Sequence, residues 1–297
     1  MTKNIAHSVQ ERLRAVARRE GRGYQAILLL YAQERWLARL AASEQRPSFV
    51  LKGGLFLYSR SRLAARPTQD IDFAGLTDQN DLADVRHALQ TVARLDLGDG
   101  VRFGVDDMTA GVIAEEAQTP GVRLRVPASI GQVRLMLTLD VGFGDAVTPA
   151  PVLQTYPTLL GPGTFELYTV TIETVMAEKF QAMVHLGERN TRLKDFYDLQ
   201  RLALTEKPAA AQLCAALEQT FGRRQTSFAA ATAFLAQDFS QEDHRQQLWR
   251  AFLNRTRLEA PPEIQQVVAT IGALLGPVIA GTAEGHWNPE RQNWEPS

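Results

Sequence analysis

Residues 52–75 read KGGLFLYSRSRLAARPTQDIDFAG. Gly53 and Gly54 stand before a run of helical character, and Asp70 and Asp72 follow one residue apart. In a strand, side chains alternate faces, so Asp70 and Asp72 point one way while Ile71 and Phe73 point the other. Two neighbouring carboxylates repel unless a cation lies between them, and their hard oxygens suit Mg²⁺. A Gly-Gly turn that opens a helix lets backbone approach a bulky anion. The helix N-terminus then meets that anion with unpaired N–H groups and the positive end of its dipole. An Asp-x-Asp pair or a Gly-Gly turn alone is a weak signal. The order glycines, helix, strand with paired aspartates and later strand with another aspartate is much more specific, and it suits a metal-bound triphosphate.

Working outward, SFVLK before the glycines reads as a short strand, and QDIDFAG as the next. Residues 8 to 45 read as two helices. The first runs from a Ser8 cap to near Gly21; the second carries Ile27, Leu30, Tyr31, Leu37 and Leu40 at helical spacing. Arg12, Arg14, Arg18 and Arg19 make the first helix basic, which reads as a solvated face or as an RNA-facing patch. Arg189 and Arg192 are further candidates for a basic surface. DLADVRHALQTVARL is a helix, and strand-rich sequence follows from Val101 to Val147. Its longest strand is QVRLMLTLDVGF, with Val133, Leu135, Leu137, Leu139 and Val141 on one face. Arg134, Met136, Thr138 and Asp140 form the other face. Asp140 is the natural third carboxylate, which would permit a second metal.

The stretch PTLLGPGTF separates the halves, and the chain turns helical from Val170. The expected fold class is α+β, with a palm domain and N-terminal helices over 1–160. A helical domain over 161–297 would contribute to the active-site cleft. The tail HWNPERQNWEPS is polar and reads as poorly ordered. In TIETVMAEKFQAMVHLG, Ile172, Val175, Met176, Phe180, Met183 and Val184 form an apolar stripe, and Lys179 falls within it. A lysine there is either a snorkelling core-edge residue or one aimed at phosphates. On the second reading, Lys179→Met should fold at least as well as wild type and be inactive. RNTRLKDFYDL then offers Thr191 as a helix cap, with Asp195 and Asp198 on one face.

The composition is that of an ordinary globular protein: 297 residues, 45% hydrophobic and 22% charged. A net charge of −1 excludes a global field that recruits nucleic acid, so such binding needs a local patch. The single cysteine, Cys214, excludes an internal disulfide and a cysteine-based metal site. No long apolar run marks a signal peptide or membrane span, so a cytoplasmic location is expected.

VLKGG, RPTQDIDFAG, LDVGFGDAV, EKFQAMV and RLKDFYDL together resemble the AbiEii/AbiGii family of nucleotidyltransferase toxins, which includes the MenT toxins of type IV-like toxin–antitoxin systems. The resemblance implies a DNA polymerase β-like nucleotidyltransferase fold with a mixed-sheet core. It implies Mg²⁺, or Mn²⁺ in its place, with NTP as substrate. It also implies an RNA acceptor, in several members the 3′ end of tRNA, so that aminoacylation and translation are blocked. An antitoxin encoded nearby is the implied protein partner. By the same resemblance Gly53, Gly54 and Arg66 lie on the phosphate side, and Asp70 and Asp72 bind metal. Lys179 matches the family's helical lysine, while Lys194, Asp195 and Asp198 match its Lys-Asp-x-x-Asp motif. The expected catalytic set is Asp70, Asp72, Lys179 and Asp195; Lys194 and Asp198 bind nucleotide, and Asp140 joins the metal ligands. Where the family often has Thr or Ser after the glycines, this chain has Leu55. The alternatives are transfer to a small molecule or protein hydroxyl, and a non-catalytic nucleotide-binding module.

Overall fold

The computed structural model describes residues 2–76, 81–113, 121–144, 147–187, 190–237 and 243–296. The chain divides into two compact units, Met1–Asp145 with Pro151–Thr169, and Ala146–Ala150 with Val170–Ser297.

The first unit opens with α1 (Thr2–Arg19) and α2 (Tyr24–Ala41). The first helix starts upstream of the expected Ser8 cap. Its buried stripe of Val9, Leu13 and Val16 extends back to Ala6 at the same spacing, so Ser8 sits inside the helix. Val9, Leu13, Ile27 and Leu28 pack with Val101, Ile130 and Leu159 in one cluster. Strand β1 (Phe49–Lys52) leads straight into α3 (Gly53–Ser61), and β2 (Asp70–Gly75) follows. Helix α4 (Leu82–Arg94) is capped by Asp81, whose carboxylate accepts from the Ala83 N–H at 2.7 Å.

The remaining strands are β3 (Val101–Phe103), β4 (Thr109–Ile113), β5 (Gly121–Ile130), β6 (Val133–Phe143), β7 (Val152–Pro157) and β8 (Thr164–Thr169). The sheet order is β3-β5-β6-β2-β1-β8-β7, with β4 also on β5. Strands β2 and β6 run parallel, as do β1 and β8; the other pairs are antiparallel. PTLLGPGTF turns between β7 and β8, where Pro157 pairs with Thr164. Both central strands are two-faced as their alternation predicts: Ile71, Phe73, Leu137, Leu139 and Val141 are buried, while Asp70, Asp72, Thr138 and Asp140 are half-buried.

The second unit carries α5 (Ile172–Leu186), α6 (Leu193–Thr205), α7 (Ala210–Arg223), α8 (Phe228–Leu235), α9 (Asp243–Thr256) and α10 (Ile264–Ile279). Phe180, Phe196, Leu213, Phe221, Trp249 and Ile271 form its interior. Helix α6 starts with Arg192 at the cap position rather than Thr191, and Asn190 accepts the Arg192 N–H at 2.8 Å. The tail is ordered as a hairpin, β9 (His286–Asn288) with β10 (Asn293–Glu295). Its two tryptophans override the polar composition. Trp287 is buried and donates to the Ala203 carbonyl at 2.7 Å, and Trp294 donates to Leu274 at 3.0 Å. The fold is mixed α+β, and among the described residues no helix is long and apolar enough to cross a membrane.

Candidate active site

Register brings the first set of residues together. On antiparallel β1 and β2, Lys52 lies opposite Asp72; on parallel β2 and β6, Asp72 lies beside Asp140; on antiparallel β6 and β5, Asp140 lies opposite Arg123. Directly paired residues share a face on strands about 4.8 Å apart. The polar face therefore carries a row Lys52–Asp72–Asp140–Arg123, two carboxylates bracketed by two cations. Asp70 sits on the same face two residues before Asp72, with Thr138 as its neighbour.

Backbone geometry explains the glycines. Gly53 has φ +65, and a Cβ built there would overlap Oδ2 of Asp72. A side chain at Gly53 is excluded twice, by the left-handed backbone and by the carboxylate. The first residue of α3 is thus packed against the Asp72 side chain, where a helix N-terminus favours negative charge. A Cβ on Gly54 would lie 2.5 Å from Thr68, in the loop that enters β2. Leu55, in place of the family's hydroxyl residue, is fully buried. Arg66 belongs to the same loop and donates to the Pro67 carbonyl at 3.4 Å.

Asp140 is held by Arg123, whose Nε donates to Oδ1 at 2.8 Å and whose second nitrogen donates to Oδ2 at 2.7 Å. Those bonds, with the charges of Asp140, Asp70 and Asp72, raise the Arg123 guanidinium above its ordinary value. Among the described residues no group of three or more His, Cys, Asp or Glu side chains is placed to hold a metal ion. Asp140 faces the Arg123 guanidinium on the same strand face as Asp72. Neither Lys52 nor Arg123 was assigned a role from sequence. The Arg123/Arg125 alternation in VRLRV hints at a basic polar face, but the partner of each depends on a register that sequence does not display.

The second set lies in the helical unit. The Lys179 ammonium donates to Asp195 Oδ1 at 3.0 Å and to Asp198 Oδ2 at 2.7 Å. The lysine side chain is 11% exposed and the two carboxylates 3% and 2%. Arg192 Nε lies 3.1 Å from Asp195 Oδ2. Burial pushes the Asp195 carboxyl up, but Lys179, Arg192 and Lys194 outweigh it and hold it below the ordinary carboxylate range. Lys194 itself is exposed. The knot changes what a substitution means: removing Lys179 takes from two buried carboxylates the cation they share, so Lys179→Met should destabilise the fold rather than preserve it.

Of the basic candidates, Arg12, Arg18 and Arg19 are exposed on α1 and Arg192 is exposed at the start of α6; Arg189 lies outside the described residues.

No curated protein matches this sequence. A candidate nucleotidyltransferase from Helicobacter pylori shares the fold at 14% identity, with a TM-score of 0.50 over 88% of this chain and 97% of its own. JHP933 from Helicobacter pylori aligns at 14% identity and TM-score 0.49, over 88% of this chain and 94% of its own. The profile of the AbiEii nucleotidyl transferase toxins matches residues 35–270. That span takes in the glycine turn, the aspartate strand and the Lys179 knot. The chain has the nucleotidyltransferase fold and belongs to the AbiEii family of nucleotidyltransferase toxins of type IV toxin–antitoxin systems.

Proposed function

We propose that this enzyme transfers a nucleotide from an NTP to the 3′ acceptor end of tRNA, and so blocks translation until an antitoxin intervenes. The observation that carries the reading is Gly53 at φ +65, packed on the Asp72 carboxylate with Asp70 on the same face. Gly53 and Gly54 seat the N-terminus of α3 against Asp72 and Thr68, and that helix end, with Arg66 in the adjoining loop, is the candidate triphosphate side. Asp70 and Asp72 are half-buried, paired and hard, a donor set that fits a divalent cation. Such a cation, Mg²⁺ or Mn²⁺, would offset charge on the phosphates when bound.

In the transfer, the acceptor hydroxyl oxygen forms a bond to the α-phosphorus while the bond to the β-phosphate oxygen breaks. Pyrophosphate leaves, and the hydroxyl proton passes to a carboxylate or to solvent. In the helical unit Lys179 and Asp195 are the candidate catalytic pair, the lysine held by Asp195 and Asp198. Lys194 contributes charge from the exposed side of α6. Asp140, tied to Arg123, sets the field beside Asp72.

Incubation with each labelled NTP and total RNA, with and without chelator, tests the reading. Label should enter tRNA for at least one NTP and vanish with chelator. Asp72→Asn should lower transfer by about 10²-fold or more with its melting transition retained. Transfer by Asp72→Asn at the wild-type rate, or label in no RNA with any NTP, overturns it.

A further inference from the structure

At the corner between α1 and α2 an open depression of 440 Å³ is lined by Arg14, Ala17, Arg18, Gly21, Arg22 and Tyr24. Two of its arginines are held by neighbours. Arg22 donates to the carbonyls of Leu63 and Ala65, the latter at 2.9 Å. The Arg14 guanidinium stands 5.2 Å from the centre of the Tyr24 ring and also pairs with Glu11. The Tyr24 hydroxyl is buried and has no hydrogen-bond partner. The Arg18 side chain is exposed and makes no ion pair among the described residues. The exposed Arg14 and Arg18, with Arg22 behind them in the same lining, make a basic surface for a tetrahedral anion.

The local charge agrees. Residues 1–24 hold Lys3, Arg12, Arg14, Arg18, Arg19 and Arg22 against Glu11 and Glu20, in a chain whose net charge is −1. The basic surface is therefore concentrated rather than general. Position adds the second argument. Arg22 grips the segment that leads into β2, and Ala65 stands five residues before Asp70. Even fully extended, that segment spans at most about 18 Å. A ligand with repeated phosphates could fill the depression and still reach the aspartate strand, and the Arg14–Tyr24 pair offers planes on which an unpaired base stacks.

We propose that this depression docks a backbone phosphate of the polynucleotide acceptor, upstream of the end that receives the nucleotide. The assignment rests on the RNA-acceptor reading above. The test is equilibrium binding of fluorescein-labelled total tRNA, without NTP, across a salt series. Arg14→Glu/Arg18→Glu should weaken binding about tenfold or more and reduce the salt slope by about two. Arg223→Glu/Arg255→Glu, an equal charge change on exposed positions of the helical unit, should stay within about twofold.

If wild type labels RNA while the α1 double variant binds tRNA as wild type does, the docking site is overturned and the transfer reading stands. If the α1 variant loses binding but wild type extends no RNA, the transfer reading fails and the docking site stands. Failure of wild type to bind tRNA overturns the docking site. So does unchanged RNA binding with lost affinity for the antitoxin from a neighbouring gene, since the surface would then be a protein-docking one.

Discussion

Asp72 and Asp140 stand side by side on adjacent strands, half-exposed, each with a cation on its outer flank. Asp195 and Asp198 lie one helical turn apart, almost wholly buried around one ammonium. In the sheet, solvent tempers the repulsion, and a carboxylate can exchange its partner at little cost. In the helical unit the charges are desolvated, so the ion pairs hold only while all members are present. The same residue type is therefore poised for ligand exchange in one unit and built into the packing of the other.

The sharpest way to break this contrast is Lys179→Met. It leaves Asp195 and Asp198 buried without their shared cation, and should cost about 3–5 kcal/mol of stability, read by denaturant melts of the full chain. The triple variant Lys179→Met/Asp195→Asn/Asp198→Asn should recover most of that loss while remaining inactive. If Lys179→Met melts like wild type, the knot is not a closed electrostatic unit and the contrast falls.

The complementary change on the sheet is Arg123→Ala. It removes an exposed partner, so stability should shift by no more than about 1 kcal/mol. It also releases both oxygens of Asp140 beside Asp72, adding a carboxylate to the candidate metal pair. Mn²⁺ titrated into the protein without NTP should then bind about tenfold more tightly, with Arg123→Lys between the two. Weaker Mn²⁺ binding in Arg123→Ala would mean that the guanidinium organises the pair rather than competing with the metal.

The contrast also marks how far sequence reading reached. Alternation alone put Asp70 and Asp72 on one face and Leu137, Leu139 and Val141 on the other, because side-chain direction in a strand is a local property. The glycines announced a turn, and the spacing of Asp195 and Asp198 announced a shared helix face. What sequence could not display was pairing across the chain. The Arg123–Asp140 bond depends on β5–β6 register, and the grip of Asp195 and Asp198 on Lys179 depends on how α5 packs on α6. The tail was misread because two tryptophans among polar residues anchor a hairpin that average composition conceals. The start of α1 was misread because a serine with cap chemistry sits inside a longer apolar stripe.

A fifth carboxylate refines the comparison, because it is buried as deeply as the knot yet lies in the sheet-bearing unit. Glu34 on α2 is fully buried, with Oε1 2.7 Å from Arg35 and Oε2 accepting the Leu159 N–H. Burial pushes its carboxyl up to about 7, and the nearby Arg35 and the Leu159 hydrogen bond only partly offset that. Asp195, at comparable burial, is held down because a lysine and an arginine both face it. The two should therefore respond to pH in opposite senses. Between its unfolded value and about 7, Glu34 binds its proton more tightly in the folded chain, so stability rises as pH falls through that window. Asp195 contributes stability that is present above its unfolded value and lost as pH falls below it. From pH 8 to pH 6 only Glu34 of this pair titrates, and unfolding free energy should increase by about 1 kcal/mol. Glu34→Gln should flatten that rise whatever its absolute stability, as read from urea melts at the two pH values. An equal rise in Glu34→Gln would assign the effect to another group and leave Glu34 ionised inside the fold.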